Sequence, residues 1–288
     1  MPDSEFDRVA VLGFGTMGGG IAQVVAATGR DVVVLESEAE RLDRGTRGVE
    51  KMLDDGVRRS KLTEKERDAT VDRIRGTTEV SALAGVDLVV EAVTERREVK
   101  VDLLGRVADV VGDETILATN TSALSVTDIA GHLPRPERVA GLHFFNPAPV
   151  MALVEVVRAL QTAPDVVARL IGFVESLGKD PVQAKDRPGF LVNRLLMPYL
   201  NDVVAEYDDE LASAEDIDTA LELGLGYRLG PLALLDLIGI DVHSHATQSA
   251  YDATMDPQFA PPPLLAQMVA AGYLGRKSGR GFHGEYEK

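Results

Sequence analysis

Val9-Ala10-Val11-Leu12-Gly13-Phe14-Gly15-Thr16-Met17-Gly18 is the stretch from which the rest of the chain is best read. Its first four residues are continuously apolar, the pattern of a strand buried on both faces of a parallel sheet. Glycines follow at the spacing in which the first makes a tight turn, the second lets a pyrophosphate approach, and the third packs helix against strand. The pattern then predicts a helix over 17–28, closed by Gly29, and a second buried strand over 31–36. A helix that starts at such a loop offers free N–H groups and the positive end of its dipole to phosphate. With 27 glycines in the chain the hexapeptide alone means little, and its place between two buried strands is what makes it informative.

Glu36 ends that second strand. A carboxylate there accepts hydrogen bonds from the adenosine ribose hydroxyls and repels the extra phosphate of NADP, so the cofactor expected is NAD. Arg41 and Arg44, a turn or two further on, leave a route to a 2′-phosphate open.

Working outward, a long charged helix is predicted over 38–59, then a polar helix capped by Thr63, with Glu66 placed for a capping box. Strands over 87–91, 115–119, 138–143, 153–157 and 180–182 alternate with helices over 98–111 and from Pro164 to just before Gly178. Alternation of this kind predicts an α/β fold with a Rossmann-type doubly wound sheet. Beyond Arg187-Pro188-Gly189 the pattern changes to helical periodicities over 190–206 and 213–223, with no convincing buried strand. The expected organisation is therefore an NAD-binding domain over 1–186 and an all-helical C-terminal domain over 187–288. The proline-rich segment 256–263 reads as a loop of the latter.

The chain has 288 residues, 45% of them hydrophobic, enough for two modest packed cores. Its 46 Asp and Glu against 30 Lys and Arg disfavour nucleic acid and anionic membrane surfaces as partners. Absence of cysteine excludes disulfides, thiolate metal sites and cysteine nucleophiles. The polar, acidic start and the lack of a long apolar run lead to the expectation of a cytoplasmic soluble protein. No metal site is expected: His243 and His245, two apart, face different sides of a helix, have no carboxylate spacing beside them, and are expected at the surface.

His143-Phe144-Phe145-Asn146-Pro147 stands at the end of a predicted strand, and Glu155 is a lone carboxylate inside the apolar run 153–157. Both belong near the carboxyl ends of sheet strands, where ligands bind. A buried carboxylate needs a partner, and His143 is the candidate. An imidazole held by a carboxylate is a ready general base, which the oxidation of an alcohol by NAD requires.

At this point the chain resembles the L-3-hydroxyacyl-CoA dehydrogenases, including the 3-hydroxybutyryl-CoA dehydrogenases, over essentially its whole length. The motifs are the glycine loop, Val90-Glu91-Ala92-Val93-Thr94-Glu95, Asn120-Thr121-Ser122, Gly141-Leu142-His143-Phe144-Phe145-Asn146-Pro147 and Leu153-Val154-Glu155-Val156-Val157. Pro188-Gly189-Phe190-Leu191-Val192-Asn193-Arg194, Gly230-Pro231 with Asp236 to Asp241, and Leu274-Gly275-Arg276-Lys277-Ser278-Gly279-Arg280-Gly281-Phe282 continue it.

The resemblance implies that His143 removes the proton from the C3 hydroxyl, Glu155 orients that imidazole, and hydride passes from C3 to the nicotinamide. It implies further that Ser122 and Asn193 hydrogen-bond around the reacting oxygen, and that Glu95, Lys100 and Asn120 join Gly13, Gly15, Thr16, Met17, Gly18 and Glu36 in the cofactor site. On sequence grounds Ser122 and Asn193 read equally well as loop and helix caps. If Asn193 reaches the substrate, the active site lies between the two domains. Coenzyme A is anionic, and Arg59, in Arg58-Arg59-Ser60-Lys61, matches a basic residue that contacts its phosphates in the family.

Departures from the family's usual pattern at Glu36, Arg96, Ala123 and Ala152 bear on the cofactor pocket and on the acyl group recognised, and leave the acid-base pair untouched. Two other readings stay open: a hydroxy acid that is free or linked to a carrier protein, and a non-catalytic NAD(H)-binding module. Leu195, Leu196, Leu200, Leu232, Leu234, Leu235 and Leu237 exceed what a small helical domain buries, which leads to the expectation of a homodimer.

Overall fold

A computed structural model describes residues 6–286, and the chain separates into two compact units, residues 1–186 and 187–288. The first unit runs β1 (Arg8–Leu12), α1 (Thr16–Ala27), β2 (Asp31–Leu35), α2 (Ala39–Arg58), α3 (Glu64–Val71), β3 (Ile74–Thr77) and β4 (Leu88–Glu91). It continues with α4 (Arg97–Ala108), β5 (Ile116–Thr119), α5 (Val126–Gly131), β6 (Val139–Phe144), β7 (Leu153–Arg158), α6 (Pro164–Ser176) and β8 (Asp180–Lys185).

These strands form one eight-stranded sheet in the order β3-β2-β1-β4-β5-β6-β7-β8. The first six in that order are parallel, β7 runs antiparallel to β6, and β8 runs parallel to β7. The chain winds outward from β1 in one direction to β3 and then restarts beside β1 with β4. That reversal is the switch point of a doubly wound sheet, where a crevice opens beyond the strand ends. Val9, Val11, Val32, Val34, Leu88, Val90, Ile116 and Ala118 fill the core beneath it, each almost wholly buried.

The capping box expected at Thr63 is present, with the Glu66 N–H donating to the Thr63 hydroxyl at 3.2 Å and the Thr63 N–H donating to Glu66 Oε2 at 2.7 Å. Strand β3 and helix α5 are additions to the sequence expectation. β3 is a four-residue edge strand, Ile-Arg-Gly-Thr, whose partly exposed residues lack the apolar run that marks its neighbours.

The second unit comprises α7 (Val192–Asp208), α8 (Ala214–Leu225), α9 (Pro231–Ile238), α10 (Ile240–Thr254) and α11 (Pro263–Ala270), followed by a small antiparallel hairpin of β9 (Arg280–Gly281) and β10 (Gly284–Glu285). It is helical apart from that hairpin. The hairpin has no apolar strand to give it away, because a single carboxylate anchors it. Buried Asp236 accepts hydrogen bonds from the Phe282 N–H at 3.0 Å, the His283 N–H at 3.2 Å and the Tyr286 hydroxyl at 2.6 Å.

Two expectations for this unit are corrected. His243 is buried, donating from Nε2 to Asn201 Oδ1 at 3.0 Å, while His245 is exposed. Its face of α10 packs inward, which the two-residue spacing of the histidines did not reveal. Of the leucines attributed to a subunit interface, Leu200, Leu232 and Leu235 lie in the unit's own core, whereas Leu195 and Leu237 are exposed, with Leu223, Leu225 and Val242 beside them in that class. Among the described residues no helix is long and apolar enough to cross a membrane.

Candidate active site

The sheet register collects the candidate residues at one edge. Leu12 pairs with Glu91, Glu91 with Thr119, and Thr119 with Gly141, so these residues form one row across β1, β4, β5 and β6. Gly13, Glu95, Asn120 and Ser122 lie beyond the ends of β1, β4 and β5, and His143 is two residues past Gly141 on β6. Strand β7 reaches the same place from the opposite direction, and its register sets Glu155 directly across from His143.

Gly13 has φ +92°, a conformation that side-chain-bearing residues rarely adopt, and a Cβ there would stand 3.0 Å from the Ala92 carbonyl oxygen. A Cβ on Gly18 would fall 1.9 Å from the Gly13 carbonyl oxygen, which is why the third glycine is required for α1 to approach the loop. At Gly15, the N-cap of α1, a Cβ would meet nothing within 4 Å, and no side chain caps the helix. An open cradle over an uncapped helix start fits a pyrophosphate. Thr16 and Met17 form the first turn of that helix.

Glu36 grips the loop itself: its Oε1 accepts from the Phe14 N–H at 2.8 Å and its Oε2 from the Ser37 N–H at 2.9 Å. A carboxylate has about four lone-pair sites, so ribose hydroxyls can be accepted as well. Arg41 and Arg44 are exposed on α2.

At the end of β5, Asn120 Oδ1 accepts from the Phe144 N–H at 2.8 Å and so ties this strand end to that of β6. Glu95 holds the next residues. Its Oε1 accepts from the Thr121 hydroxyl at 2.5 Å, the Ser122 N–H at 2.9 Å and the Ala123 N–H at 3.2 Å. Burial acts to raise the Glu95 carboxyl, but the Lys100 ammonium, the Thr121 hydroxyl and the Ser122 N–H outweigh it and hold the group below its usual range. Lys100 itself is 1% exposed, donating to Glu91 Oε1 at 2.7 Å and lying 3.3 Å from Glu95 Oε2. Ser122 is exposed, with its hydroxyl 3.4 Å from Glu95 Oε1.

His143 and Glu155 are 6% and 1% exposed, and His143 Nδ1 stands 2.7 Å from Glu155 Oε2. The Phe145 ring lies over the imidazole with 4.5 Å between centroids. Between the two strands the segment 145–152 is tied down by buried Lys179, whose ammonium donates to the Ala148 and Met151 carbonyls at 2.7 and 2.6 Å. Burial lowers the Lys179 pKa.

Arg59 is the exposed C-cap residue of α2. Asn193 belongs to the second unit, in the first turn of α7 and partly buried. Among the described residues no cluster of His, Asp and Glu is arranged to hold a metal ion.

Glu91 and Lys179 are the residues that sequence reasoning did not single out. Glu91 was visible by the same signal as Glu155, a carboxylate closing an apolar strand. Lys179 had no such mark.

Comparisons with known proteins agree over both units. Residues 8–187 match the 3-hydroxyacyl-CoA dehydrogenase NAD binding domain, and residues 189–285 match the 3-hydroxyacyl-CoA dehydrogenase C-terminal domain. The 3-hydroxyadipyl-CoA dehydrogenase of Escherichia coli is 46% identical over 96% of this chain, which spans 58% of that longer protein. The probable 3-hydroxybutyryl-CoA dehydrogenase of Deinococcus radiodurans is 42% identical over 96% of this chain and 99% of its own. The crystal structure of (S)-3-hydroxybutyryl-CoA dehydrogenase from Ralstonia eutropha superposes with a TM-score of 0.95, at 41% identity, over 98% of this chain and 100% of that one. With the glycine loop built for a dinucleotide and both halves matched, the chain belongs to the NAD-dependent 3-hydroxyacyl-CoA dehydrogenase family.

Proposed function

We propose that this enzyme interconverts a short-chain L-3-hydroxyacyl-CoA, such as 3-hydroxybutyryl-CoA, and its 3-ketoacyl-CoA, with His143 as general base and Glu155 as the residue that positions it. The observation carrying this reading is the 2.7 Å contact between His143 Nδ1 and Glu155 Oε2, made across the strand pair at the sheet edge that holds the glycine loop. A hydrogen on Nδ1 donated to the carboxylate leaves Nε2 as the basic nitrogen. Nε2 takes the C3 hydroxyl proton as the hydride leaves C3, and the adjacent carboxylate stabilises the imidazolium that results. NAD supplies the hydride acceptor. In the reverse direction the imidazolium returns the proton to the ketone oxygen.

Ser122 and Asn193 are assigned as hydrogen-bonding groups for the reacting oxygen. Donors aimed at developing alkoxide charge lower the barrier. Arg59 is assigned to the coenzyme A phosphates on the strength of its charge and exposure. The names of the Deinococcus and Ralstonia relatives support a four-carbon acyl group. The Escherichia coli relative is named for a longer, dicarboxylic substrate, so the decisive experiment is a panel. NADH and NADPH oxidation is followed with acetoacetyl-CoA, 3-ketoadipyl-CoA, acetoacetyl-carrier protein and free acetoacetate. Turnover with NADH and acetoacetyl-CoA above the others is expected. Silence on both CoA esters overturns the reading.

A homodimer is assigned through the exposed Leu195, Leu223, Leu225, Leu237 and Val242 of the second unit. Light scattering that gives the mass of one chain at working concentration would remove that assignment.

A further inference from the structure

Glu91, Glu95 and Glu155, three of the carboxylates at the strand ends beside the glycine loop, differ in depth. Glu155 meets His143 and Glu95 meets Ser122, but Glu91 is 0% exposed, and its side chain is enclosed by other side chains and backbone. A carboxylate taken wholly out of water costs several kcal/mol, so its partners must account for its presence. Its Oε1 accepts from the Lys100 ammonium at 2.7 Å and the Val93 N–H at 2.7 Å, and its Oε2 accepts from the Thr119 hydroxyl at 2.6 Å. Its own carbonyl accepts from the Asn120 N–H at 2.7 Å. Through these bonds one residue joins the start of the 92–96 loop, the end of β5 and α4.

Lys100 completes the chain of contacts. Its ammonium has three hydrogens, and the groups within reach are Glu91 Oε1 at 2.7 Å, the Val93 carbonyl at 3.3 Å and Glu95 Oε2 at 3.3 Å. The shortest of these bonds is to Glu91, so the cation is seated there and held at a fixed distance from Glu95. Glu95, anchored on one oxygen by Lys100, uses the other to hold Thr121, Ser122 and Ala123.

We propose that Glu91 is a positioning residue of the dehydrogenase: by seating Lys100 it sets the Glu95 carboxylate, and through it the 120–123 loop that carries Asn120 and Ser122 at the cofactor site. Without the Glu91 charge, Lys100 moves toward its remaining counter-ion, Glu95 shifts with it, and the loop loses the acceptor that orders its N–H groups. The inference rests on the dehydrogenase reading above, and the experiment separates the two because it is scored against the turnover of the unsubstituted enzyme.

The experiment is a double-mutant cycle of Glu91→Gln and Lys100→Met, read as kcat/KM for NADH with acetoacetyl-CoA and, independently, as NADH affinity from fluorescence titration. Both are measured well below each variant's melting temperature. Glu91→Gln in the parent background is expected to lower kcat/KM for NADH roughly tenfold, and in the Lys100→Met background by less than about twofold. The Glu91→Gln/Lys100→Met protein, freed of an unpaired buried charge, is expected to melt closer to the parent than Glu91→Gln does while remaining impaired in NADH binding and turnover. Equal losses in both backgrounds, or recovery of activity together with melting temperature in the double variant, would show a purely structural carboxylate and overturn the proposal. Failure of the parent enzyme to turn over would instead strike at the dehydrogenase reading.

Discussion

His143 and His243 are both buried, and both imidazoles meet a partner within hydrogen-bond reach, 2.7 Å to Glu155 in the first unit and 3.0 Å to Asn201 in the second. The partners make them different chemical objects. A carboxylate is a counter-ion for an imidazolium, which suits the general-base role proposed for His143. An amide gives a positive ring no such help, and burial pushes the His243 imidazole down to about 4. The Asn201 amide is oriented by donating to the Thr247 hydroxyl at 2.8 Å, which turns its oxygen toward His243 and makes the ring nitrogen the donor. That histidine is a neutral piece of core. Burial and a good hydrogen bond alone do not distinguish these two histidines; the charge of the partner does.

The largest test of this contrast is His143→Gln, which keeps a polar side chain but no base. It is expected to lower kcat for acetoacetyl-CoA by about 10³-fold, the range of general acid-base catalysis, while NADH affinity by fluorescence titration changes little. Near-parental turnover would dismiss His143 as the base.

Next comes the acid stability of the second histidine. The His243 pKa is lower in the folded chain than the unfolded value of 6.5, so the unfolded chain binds a proton first as pH falls. The contribution is fully present above that value, declines as the pH drops toward about 4, and amounts to about 3 kcal/mol over the window. Urea unfolding between pH 7 and pH 4 should show it, and His243→Gln should flatten that part of the curve. Equal pH dependence in both proteins would place the imidazole in water.

Glu155→Gln sharpens the same comparison by giving His143 the amide partner that His243 has. A loss of about 10²-fold in kcat for acetoacetyl-CoA is expected, because an amide gives no support to the imidazolium that returns the proton to the ketone oxygen. Unchanged kcat would mean that the carboxylate's charge is immaterial. The smallest effect expected is outside both pairs. Arg59→Ala should raise the KM for acetoacetyl-CoA by a few-fold at most, since an exposed charge is well screened, and leave the KM for NADH alone.

Much of this was legible in residue order. Short apolar runs separated by helical periodicities are dictated by burial on both sheet faces, so β1, β2, β4, β5, β6 and β7 stood out. The partly exposed edge strand β3 and the Asp236-anchored hairpin did not, because neither depends on an apolar run. The pairing of His143 with Glu155 was an expectation from two residues twelve apart, and its geometry depends on β7 turning back against β6. A parallel β7 would have carried Glu155 elsewhere. Lys100 shows the opposite case: the resemblance named it for the cofactor site, but an Arg-rich, Glu-rich segment gives no sign that this one cation is drawn inside by Glu91.

Sequence by itself therefore determined the dinucleotide loop and the succession of strands and helices, because these follow from local spacing and from which side chains avoid water, and it singled out His143 and Glu155 as the candidate pair. Only the tertiary structure decided the strand order, the antiparallel turn that brings His143 to Glu155, the burial of His243 and the depth of Glu91. Those depend on contacts between residues far apart in the chain, where the dielectric environment of a charge is set by what packs around it and cannot be read from its neighbours in sequence.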